Sequence, residues 1–387
     1  MKILVVSFGP ISEEKSGYFN LVNESIRAIR KYYDADSVEF VSSQDLSIER
    51  WHNGHGRFIV QIAGGLQGGS WLPKLFTIFL NSIRMYIIIK KYDVILIETS
   101  VFLPYALAGR ILHKKVIFAT HGMILEMARH NKKRPVKYFE QLFQAYFLDS
   151  ISSLISDIVL VTSNHDKEIA IKSLNINEAK IRIRPVAVNR PDVNTSTESS
   201  KRALKNRLGI LEGTFTGLII GDYSAEQNRK ALAFLFSTEH MFPENLIVLV
   251  IGKTYGTYTS TRKIRVLGYV ENVNDYYEIA DGLILPLSTG MGIKTKIIES
   301  MAHGLRIFTT PIGILGIDLD GCEGIYIYNL NDFWEHFKHD MDKIDYSKKC
   351  QCLISLYSRR YSNESLEYAL KEILFSLDKH YEEAKLL

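Results

Sequence analysis

Continuous apolar runs alternate with stretches of helical periodicity along nearly the whole chain. The runs Lys2–Phe8, Val94–Glu98 and Ile158–Thr162 are strand-like, and Tyr18–Tyr33 places apolar side chains on one helical face. Buried strands joined by helices predict parallel sheets that helices cover on both faces. In the first half, the same pattern predicts strands at Ser37–Ser42, Phe58–Ile62, Val116–Ala119 and Ile181–Arg184, and helices at Leu72–Lys91, Tyr105–Leu112, Pro135–Ser152 and Asp166–Leu174.

A polar segment, Asn189–Ser200, separates this series from a second one. It carries almost no large apolar residue and therefore predicts a linker or surface loop. Two α/β halves of similar size follow from this division, each with a ligand-binding edge at the carboxyl ends of its strands. The second half predicts strands at Thr216–Ile220, Asn245–Ile251, Ile264–Leu267 and Gly282–Pro286, and helices at Asn228–Ser237, Val273–Ala280, Phe333–Asp340 and Ser362–Lys385.

The bulk composition is that of a globular protein with room for two ordinary domains. The 387 residues are 46% hydrophobic and 23% charged, and the formal net charge is +4. This charge suits an anionic ligand and is too small to indicate nucleic-acid binding. The first apolar run is too short for a signal peptide, and no run reaches the roughly 20 residues of a spanning helix, so we expect a cytoplasmic protein.

The three cysteines, Cys322, Cys350 and Cys352, do not form the pattern of a disulfide framework. Cys350 and Cys352 are a pair without a second pair of ligands, so we expect no zinc site. The spacing favours idle or buried thiols in a reducing compartment.

The stretch Leu283–Gly316 carries the strongest functional signal. It predicts a buried strand, a glycine-rich turn, an amphipathic helix and a second buried strand. Free N–H groups and the positive end of a helix dipole favour a bound phosphate, and a carboxylate one turn further on can accept hydrogen bonds from sugar hydroxyls. Taken singly, each residue also fits a plain turn or a solvated face, but the set favours a nucleotide-sugar site. The residues of this set are Gly290, Gly292, Lys294, Lys296 and Glu299.

This stretch resembles the C-terminal signature of the retaining GT-B glycosyltransferases of family 4. The resemblance covers the second half of the chain well and the first half loosely. It implies an α/β fold of the GT-B class, in which two Rossmann-like domains with parallel sheets face each other across a cleft. We expect an acceptor-binding domain at 1–190, a nucleotide-sugar-binding domain at 191–365 and a helix at 366–387 that returns toward the first domain. The lead-in segments that resemble the family are Gly268-Tyr269-Val270, Asp275-Tyr276-Tyr277 and Ala280-Asp281.

The resemblance assigns roles within the glycine-rich turn. Glu299 matches the second glutamate of the family's E-x7-E motif, which holds the donor ribose hydroxyls. The first glutamate falls at Met291, so the family's usual contact with the donor sugar is missing in this chain. We expect the backbone of Gly290–Ile293 to contact the sugar or phosphate, and we include Thr295 in the substrate-binding set.

A second departure from the family concerns the donor diphosphate. Many relatives clamp it with an arginine just after the first glycine of the donor domain and a lysine five residues later. Here that glycine is Gly221, and the two positions hold Asp222 and Gln227. The leaving nucleoside diphosphate gains charge as the sugar departs, so other cations must take this role. The best candidate substitutes are Lys294 and Lys296, and Arg229 and Lys230 are nearby candidates.

Two residues of the first half are candidates for the acceptor side. His121 ends a predicted strand, where the family often has a histidine near the sugar, and we expect a catalytic role for it beside Lys294 and Glu299. A hydrogen-bonded structural histidine is the alternative. Gly17 lies in the loop after the first strand, where the family places glycines that approach a phosphate or acceptor, but a plain turn is about equally consistent.

The resemblance implies a retaining, metal-independent hexosyltransferase without a cofactor. It would move a sugar from a nucleoside-diphosphate sugar to a glycan or lipid-linked acceptor. Two segments favour peripheral contact with the inner face of a membrane. They are the basic run Arg129–Lys137 and the predicted helix Leu72–Lys91, which mixes aromatic and basic residues. A solvated helix face and a plain basic loop are the alternatives.

Two other functional classes stay open at this point. A dinucleotide-dependent oxidoreductase also has Rossmann halves, but the G-x-G-x-x-G motif after the first strand is absent from Ser7–Gly17. A non-catalytic sugar-nucleotide-binding or scaffold protein of the same fold is the main alternative, because Met291 replaces the family glutamate and the arginine–lysine pair is missing.

Overall fold

The computed structural model describes residues 1–9, 17–43, 57–63, 86–120, 124–125, 128, 132, 135–189, 197–254, 256, 258–346 and 348–385. The chain divides into two compact units. Unit 1 consists of Met1–Ala187 and Asn363–Leu387, and unit 2 consists of Val188–Ser362. Each unit is an α/β unit around a parallel sheet, which confirms the fold class predicted from the apolar runs.

Unit 1 is built on a sheet of seven strands within the described ranges. They are β1 (Lys2–Gly9), β2 (Asp34–Ser43), β3 (Arg57–Ala63), β4 (Val94–Ile97), β5 (Lys115–Ala119), β6 (Ile158–Val161) and β7 (Ile181–Ile183). Their order is β3-β2-β1-β4-β5-β6-β7, and every neighbouring pair is parallel. Every residue of β4 and β6 is buried, as expected for strands with helices on both faces.

The helices of unit 1 follow the predicted alternation, with one difference in the longest of them. The predicted helix Pro135–Ser152 extends to Ile155 and contains a π-helical segment, Gln144–Asp149, in which each turn takes up an extra residue. The helices are α1 (Gly17–Arg30), α2 (Leu103–Ile111), α3 (Pro135–Phe143), α4 (Ser150–Ile155) and α5 (Asn164–Leu174), with short 3-10 helices at Ser100–Phe102 and Glu178–Lys180.

Unit 2 has a parallel sheet of six strands in its described part. The strands are β8 (Phe215–Ile220), β9 (Leu246–Ile251), β10 (Ile264–Gly268), β11 (Gly282–Leu285), β12 (Arg306–Thr309) and β13 (Ile325–Ile327). Their order is β10-β9-β8-β11-β12-β13. The helices are α6 (Glu198–Arg207), α7 (Glu226–Ser237), α8 (Asn274–Ile279), α9 (Thr295–Ala302), α10 (Phe333–Met341) and α11 (Gln351–Arg360), with 3-10 helices at Glu239–Met241 and Leu330–Asp332.

The last helix, α12 (Asn363–Lys385), belongs to unit 1 and packs against α1. Lys31, which follows α1, forms an ion pair of 2.6 Å with Glu367 on α12. Within the described residues, no helix combines the length and the apolar character that crossing a bilayer requires.

Three local predictions for unit 2 were wrong or incomplete. The predicted loop Asn189–Ser200 ends early, because Thr197 Oγ1 accepts the N–H of Ser200 at 3.2 Å and so caps α6 at its start. Helix α11 and strand β13 were not predicted, since β13 has only three residues and α11 buries only three apolar side chains.

The expectation that all three cysteines are thiols was also wrong. Cys322 and Cys352 form a disulfide bond, and their Cα atoms lie 5.7 Å apart. The partners are 30 residues apart in sequence and meet only because α11 packs near the loop before β13. Cys350 is free and half-buried.

A fully buried ion pair connects three elements of unit 1. Arg184, just after β7, donates from Nη1 and Nη2 to the two carboxylate oxygens of Glu98 at 2.8 and 2.9 Å, and Glu98 follows β4. Arg184 Nη1 also lies 3.5 Å from Ser25 Oγ on α1. Because both charges have left water, the two hydrogen bonds between them offset part of the cost of burying each charge.

We therefore expect Glu98→Gln to destabilise unit 1 by about 3–5 kcal/mol, since it leaves the Arg184 charge buried without its counter-ion. Replacing both partners together, as Glu98→Met with Arg184→Met, should cost less than either single change. Urea unfolding followed by circular dichroism measures both. The control is Glu168→Gln, which removes an exposed pair with Lys172 and should leave unfolding unchanged. A single variant as stable as the wild type would contradict this account of the pair.

Candidate functional site

The carboxyl edge of the unit 2 sheet gathers the residues that the sequence singled out. Because β9, β8 and β11 are parallel neighbours, the segments that follow them lie at the same edge. Gly221 follows β8, Gly252 follows β9, and the turn 286–294 follows β11 and leads into α9. The start of a helix at this edge is the usual position of a bound phosphate in such folds.

Gly221 is packed between two polar side chains. A Cβ atom added at Gly221 would lie 2.8 Å from Asn228 Nδ2 and 3.2 Å from Lys296 Nζ, so a larger residue does not fit without movement. Asn228 Nδ2 donates to the carbonyl oxygen of Asp222 at 2.8 Å, and Lys296 Nζ donates to Asn228 Oδ1 at 2.8 Å. The amide of Asn228 therefore joins the turn after β8 to the first turn of α9.

The ammonium group of Lys296 lies inside this edge although part of the side chain remains accessible. Removal from water lowers the pKa of Lys296 to about 8; Glu299 opposes this shift and the nearby charge of Lys294 adds to it. An approaching anion would supply the counter-charge that Lys296 lacks. Lys296 is thus a cation whose charged form becomes more favourable when an anion binds.

The turn 286–294 is held in shape by Lys294 and by a glycine. Lys294 is buried, and its Nζ donates to the carbonyl oxygens of Met291 at 3.0 Å and Gly292 at 2.7 Å. Gly290 has a φ of +139°, and a Cβ atom there would overlap Gln227 Oε1. Lys294 is also the N-cap residue of α9 and provides no side-chain acceptor for the first N–H groups of that helix.

Glu299, one turn into α9, is held by a tyrosine. Tyr277 on α8 donates from its hydroxyl to Glu299 Oε2 at 2.8 Å. Burial raises the pKa of Tyr277 well above its usual range, so this hydroxyl stays protonated and donates. The ring of Tyr277 stacks on His303 with centroids 4.5 Å apart.

His303 continues this chain of contacts to Glu278. Its Nδ1 lies 3.3 Å from Glu278 Oε1, and Glu278 Oε2 lies 3.1 Å from Lys201 Nζ. The hydrogen bond with His303, together with the charges of Lys349 and Lys201, lowers the pKa of Glu278 to about 2 against the opposing effect of burial. The contacts of Tyr277, His303 and Glu278 therefore hold Glu299 in position. Such support is typical of a ligand-binding carboxylate rather than of a solvated surface carboxylate.

The other predicted donor residues differ in position: two lie on the exposed face of α7, and three lie in the turn 286–294 or at the start of α9. Arg229 and Lys230 are exposed on α7; Arg229 Nη1 lies 3.3 Å from the carbonyl oxygen of Ser224, and Lys230 forms an ion pair of 2.9 Å with Glu226. Met291 and Ile293 are half-buried in the turn, and Thr295 is the first residue of α9.

The candidate residues of unit 1 are only partly described. His121 and most of the basic run Arg129–Lys137 lie outside the described residues, as do residues 72–85 of the predicted helix Leu72–Lys91. Gly17 is the first residue of α1, and the loop that precedes it, 10–16, also lies outside them.

Asn228 and Tyr277 are two polar side chains to which the sequence did not assign a role. Tyr277 stands in the segment Asp275-Tyr276-Tyr277 that resembles the family, and this resemblance was the available signal for it. Their partners, Lys296 and Glu299, are 68 and 22 residues away, so spacing along the chain could not pair them. In the described ranges, no cluster of three or more His, Cys, Asp or Glu side chains is placed to hold a metal ion.

Comparison with known families agrees with this geometry. Residues 214–343 match the family model described as "Glycosyl transferases group 1", and residues 40–190 match the model "Glycosyltransferase Family 4". The two models together cover most of both units.

One curated relative and two solved folds are similar to this chain over long stretches. The Escherichia coli enzyme UDP-Gal:alpha-D-GlcNAc-diphosphoundecaprenol alpha-1,3-galactosyltransferase is 24% identical over an alignment of 280 residues. The match covers 65% of this chain and 66% of that protein, so the chain spans slightly less than two thirds of the length of this relative. Anabaena Alr3699/HepE in complex with UDP has a TM-score of 0.70 at 12% identity, covering 97% of this chain and 100% of that one. Sucrose-phosphate synthase from Thermosynechococcus elongatus has a TM-score of 0.72 at 14% identity, covering 98% and 99%.

These independent comparisons confirm the predicted fold and family, and they exclude the oxidoreductase alternative. With two parallel α/β units, matching models in each of them and glycosyltransferase neighbours over nearly its full length, the chain belongs to the GT-B glycosyltransferases of family 4.

Proposed function

We propose that the chain transfers a hexose from a uridine-diphosphate sugar to a lipid-linked acceptor, with retention at the anomeric carbon and without a metal ion. The observation that carries the donor half of this proposal is the group Gly221, Asn228 and Lys296 at the start of α9. The complex of HepE with UDP and the name of the E. coli galactosyltransferase both support a uridine nucleotide.

Lys296 and the start of α9 are the groups we assign to the donor diphosphate. The helix end presents backbone N–H groups that the side chain of its N-cap residue, Lys294, does not cap, and Lys296 adds a positive charge beside them. As the bond to the sugar breaks, negative charge grows on the leaving diphosphate, and preorganised cations and dipoles stabilise that charge. The role that a divalent ion has in other transferases can thus be met by the chain's own groups.

Lys294 differs from Lys296 in its partners and therefore in its proposed role. Its ammonium binds two carbonyl oxygens of the turn that contains Met291, where the family has its sugar-contacting glutamate. We assign Lys294 to shaping this turn around the donor sugar. In this scheme its positive charge also contributes to stabilising the leaving group.

Glu299 is assigned to the donor ribose. Its carboxylate is ordered by the buried hydroxyl of Tyr277, and a carboxylate that is held in one position can accept two ribose hydroxyls without losing side-chain entropy at binding. Tyr277 is a positioning residue in this scheme, because it acts through Glu299.

The acceptor half of the proposal rests on an exposed apolar stripe in unit 1. Val136, Phe139, Phe143 and Phe147 recur every three or four residues along α3 and the π-helical segment, and Phe139 is 66% exposed. Leu154 on α4 is 76% exposed. Monomeric soluble proteins rarely leave such a row of large apolar side chains in water.

The charge beside this stripe favours an anionic membrane as the surface that covers it. Lys132 and Lys137 are exposed next to its N-terminal end, within the basic sequence Arg129–Lys137. Aromatic and aliphatic side chains that enter the interface, with lysines at the level of anionic head groups, are the features of a peripheral membrane helix. A lipid-linked acceptor, as in the name of the E. coli relative, would be presented at such a surface.

The first test concerns Lys296 and pH. Since the pKa of free Lys296 is about 8, the ammonium form is lost as the pH rises through that value. UDP affinity measured by calorimetry should therefore fall by about tenfold between about pH 7 and about pH 9. Lys296→Gln should bind UDP weakly at both ends of this range and lose the dependence. Lys338→Gln, which removes an exposed lysine of α10, should follow the wild type. Equal pH profiles for Lys296→Gln and the wild type would reject the assignment.

The second test separates Lys294 from nucleotide binding. We expect Lys294→Ala to lower kcat more than it weakens UDP binding, because the change loosens the turn around the sugar and removes charge near the leaving group. Turnover is measured with UDP-galactose or UDP-glucose and a prenyl-diphosphate-linked N-acetylglucosamine, and NMR of the product reports the anomeric configuration. Unchanged turnover in Lys294→Ala would contradict the role assigned to Lys294, and a product with inverted anomeric configuration would contradict the proposed retention.

The third test addresses the apolar stripe. The full chain should co-sediment with vesicles of phosphatidylglycerol, and Phe139→Ser with Phe147→Ser should reduce binding by at least about tenfold. Tyr368→Ser with Phe375→Ser is the matched control, because these rings are 68% and 57% exposed on α12 of the same unit. Membrane contact through this surface is ruled out if the control loses as much binding as the stripe variant. It is also ruled out if the wild type does not co-sediment with the anionic vesicles.

A further inference from the structure

A second concave region of unit 2 lies at the opposite edge of the sheet from Lys296. It is a cavity of about 580 Å³, and its walls include α6, the segments that lead into β8, β11 and β12, and the loop before α11. Because the sheet is parallel, the segments that precede the strands share one edge, and the carboxyl end of α9 reaches it as well. We call this region the basic cavity. Its volume is within the range of small-molecule sites in proteins.

The walls of the basic cavity are rich in cations. Six lysine and arginine side chains line it, and four acidic residues accompany them, which leaves an excess of two positive charges. The cations come from three different elements, so they converge on the cavity rather than follow one helix face. They are Lys201, Arg202, Lys205, Arg306, Lys348 and Lys349.

Two of the acidic residues are occupied by other partners. Glu278 is bound to His303 as well as to Lys201. Asp281 Oδ2 accepts the backbone N–H of Thr216 at 2.8 Å, at the start of β8. Their negative charge is therefore shared with groups outside the cavity and neutralises the six cations only in part.

Several of the cations have little local compensation. Among the residues that the structure describes, the guanidinium of Arg202 and the ammonium of Lys205 take part in no hydrogen bond or ion pair. Lys349 Nζ makes a hydrogen bond of 3.4 Å to the carbonyl oxygen of Tyr277. Burial lowers the pKa of Lys349, and the charges of Lys201 and Lys205 add to this effect while Glu278 and Asp281 oppose it. Like charges are thus held close together in a concave, partly dry space, and a bound anion would reduce the repulsion between them.

We propose that the basic cavity binds a small anion that bears two or more phosphate groups. The cations surround a concavity, so they suit a compact ligand better than a flat surface or an extended polymer. Arg202 and Arg306 offer planar donor groups to phosphate oxygens, and the lysines add point charges around them. This site is separate from the donor site, since it lies at the amino edge of the strands and Lys296 lies at their carboxyl edge.

Calorimetric titration of the full chain with pyrophosphate tests the proposal. The wild type should bind at two sites, one at Lys296 and one in the basic cavity. Lys296→Gln should keep the second site, whereas Arg202→Gln with Lys205→Gln should weaken it by at least about tenfold. In the part of the chain that the structure describes, these two side chains make no hydrogen bond or ion pair with another element, so the double variant should fold, and circular dichroism checks this.

The control is Arg262→Gln with Lys338→Gln, which removes the same charge from exposed positions of unit 2 outside the cavity. It should bind pyrophosphate as the wild type does. Equal affinity of the cavity variant and this control would overturn the proposal, as would a single site that disappears in Lys296→Gln. If Lys296→Gln binds normally while the cavity variant does not, the donor assignment fails and the basic cavity stands.

Two further probes identify the source of the phosphate. Farnesyl diphosphate that binds the cavity more tightly than pyrophosphate would assign it to a lipid-borne diphosphate, and equal affinity would assign it to a free anion. Either result supports the site. If the cavity variant and its control bind both diphosphates with equal affinity, the proposed site is contradicted.

Discussion

The hydrogen bond between Lys296 and Asn228 is the interaction on which the donor site depends. It spans 2.8 Å and joins the first turn of α9 to Asn228 on α7, whose amide also bonds to the turn after β8. Asn228 is buried and anchored in turn to the backbone of Asp222, so the ammonium is aimed rather than free. Gly221 makes room for both side chains. In the proposed donor site, this contact fixes the position of the positive charge that we assign to the diphosphate at the start of α9.

The parallel sheet gives unit 2 two chemically different edges. At the carboxyl edge, glycines and a helix start leave backbone N–H groups for an anion, and one lysine is placed beside them. At the amino edge, α6, the first residue of β12 and the loop before α11 bring six cations around a cavity. Helix α9 runs between the two edges. Glu278 lies in the wall of the basic cavity and contacts His303, whose ring stacks on Tyr277. Tyr277 in turn donates to Glu299, the carboxylate assigned to the ribose. A single short helix thus takes part in both regions.

The fold was predictable from the sequence, and the donor site was predictable in part. Continuous apolar runs marked most of the strands, because a strand covered on both faces has no polar side, and the glycine-rich turn before α9 marked the ligand edge. The sequence assigned both Lys294 and Lys296 to the donor diphosphate, yet Lys294 binds carbonyl oxygens of its own turn and Lys296 reaches a side chain 68 residues away. The disulfide between Cys322 and Cys352 and the pairing of Tyr277 with Glu299 likewise depend on contacts between distant segments, which periodicity does not encode.

The position of a bound nucleotide tests the central claim most directly. In a crystal structure of the full chain with UDP, the account predicts a β-phosphate oxygen within hydrogen-bond distance of Lys296 Nζ and of the first N–H groups of α9, with the ribose hydroxyls on Glu299. A diphosphate that instead lies away from Lys296, whether in unit 1 or with Lys296 still bound only to Asn228, would contradict the account.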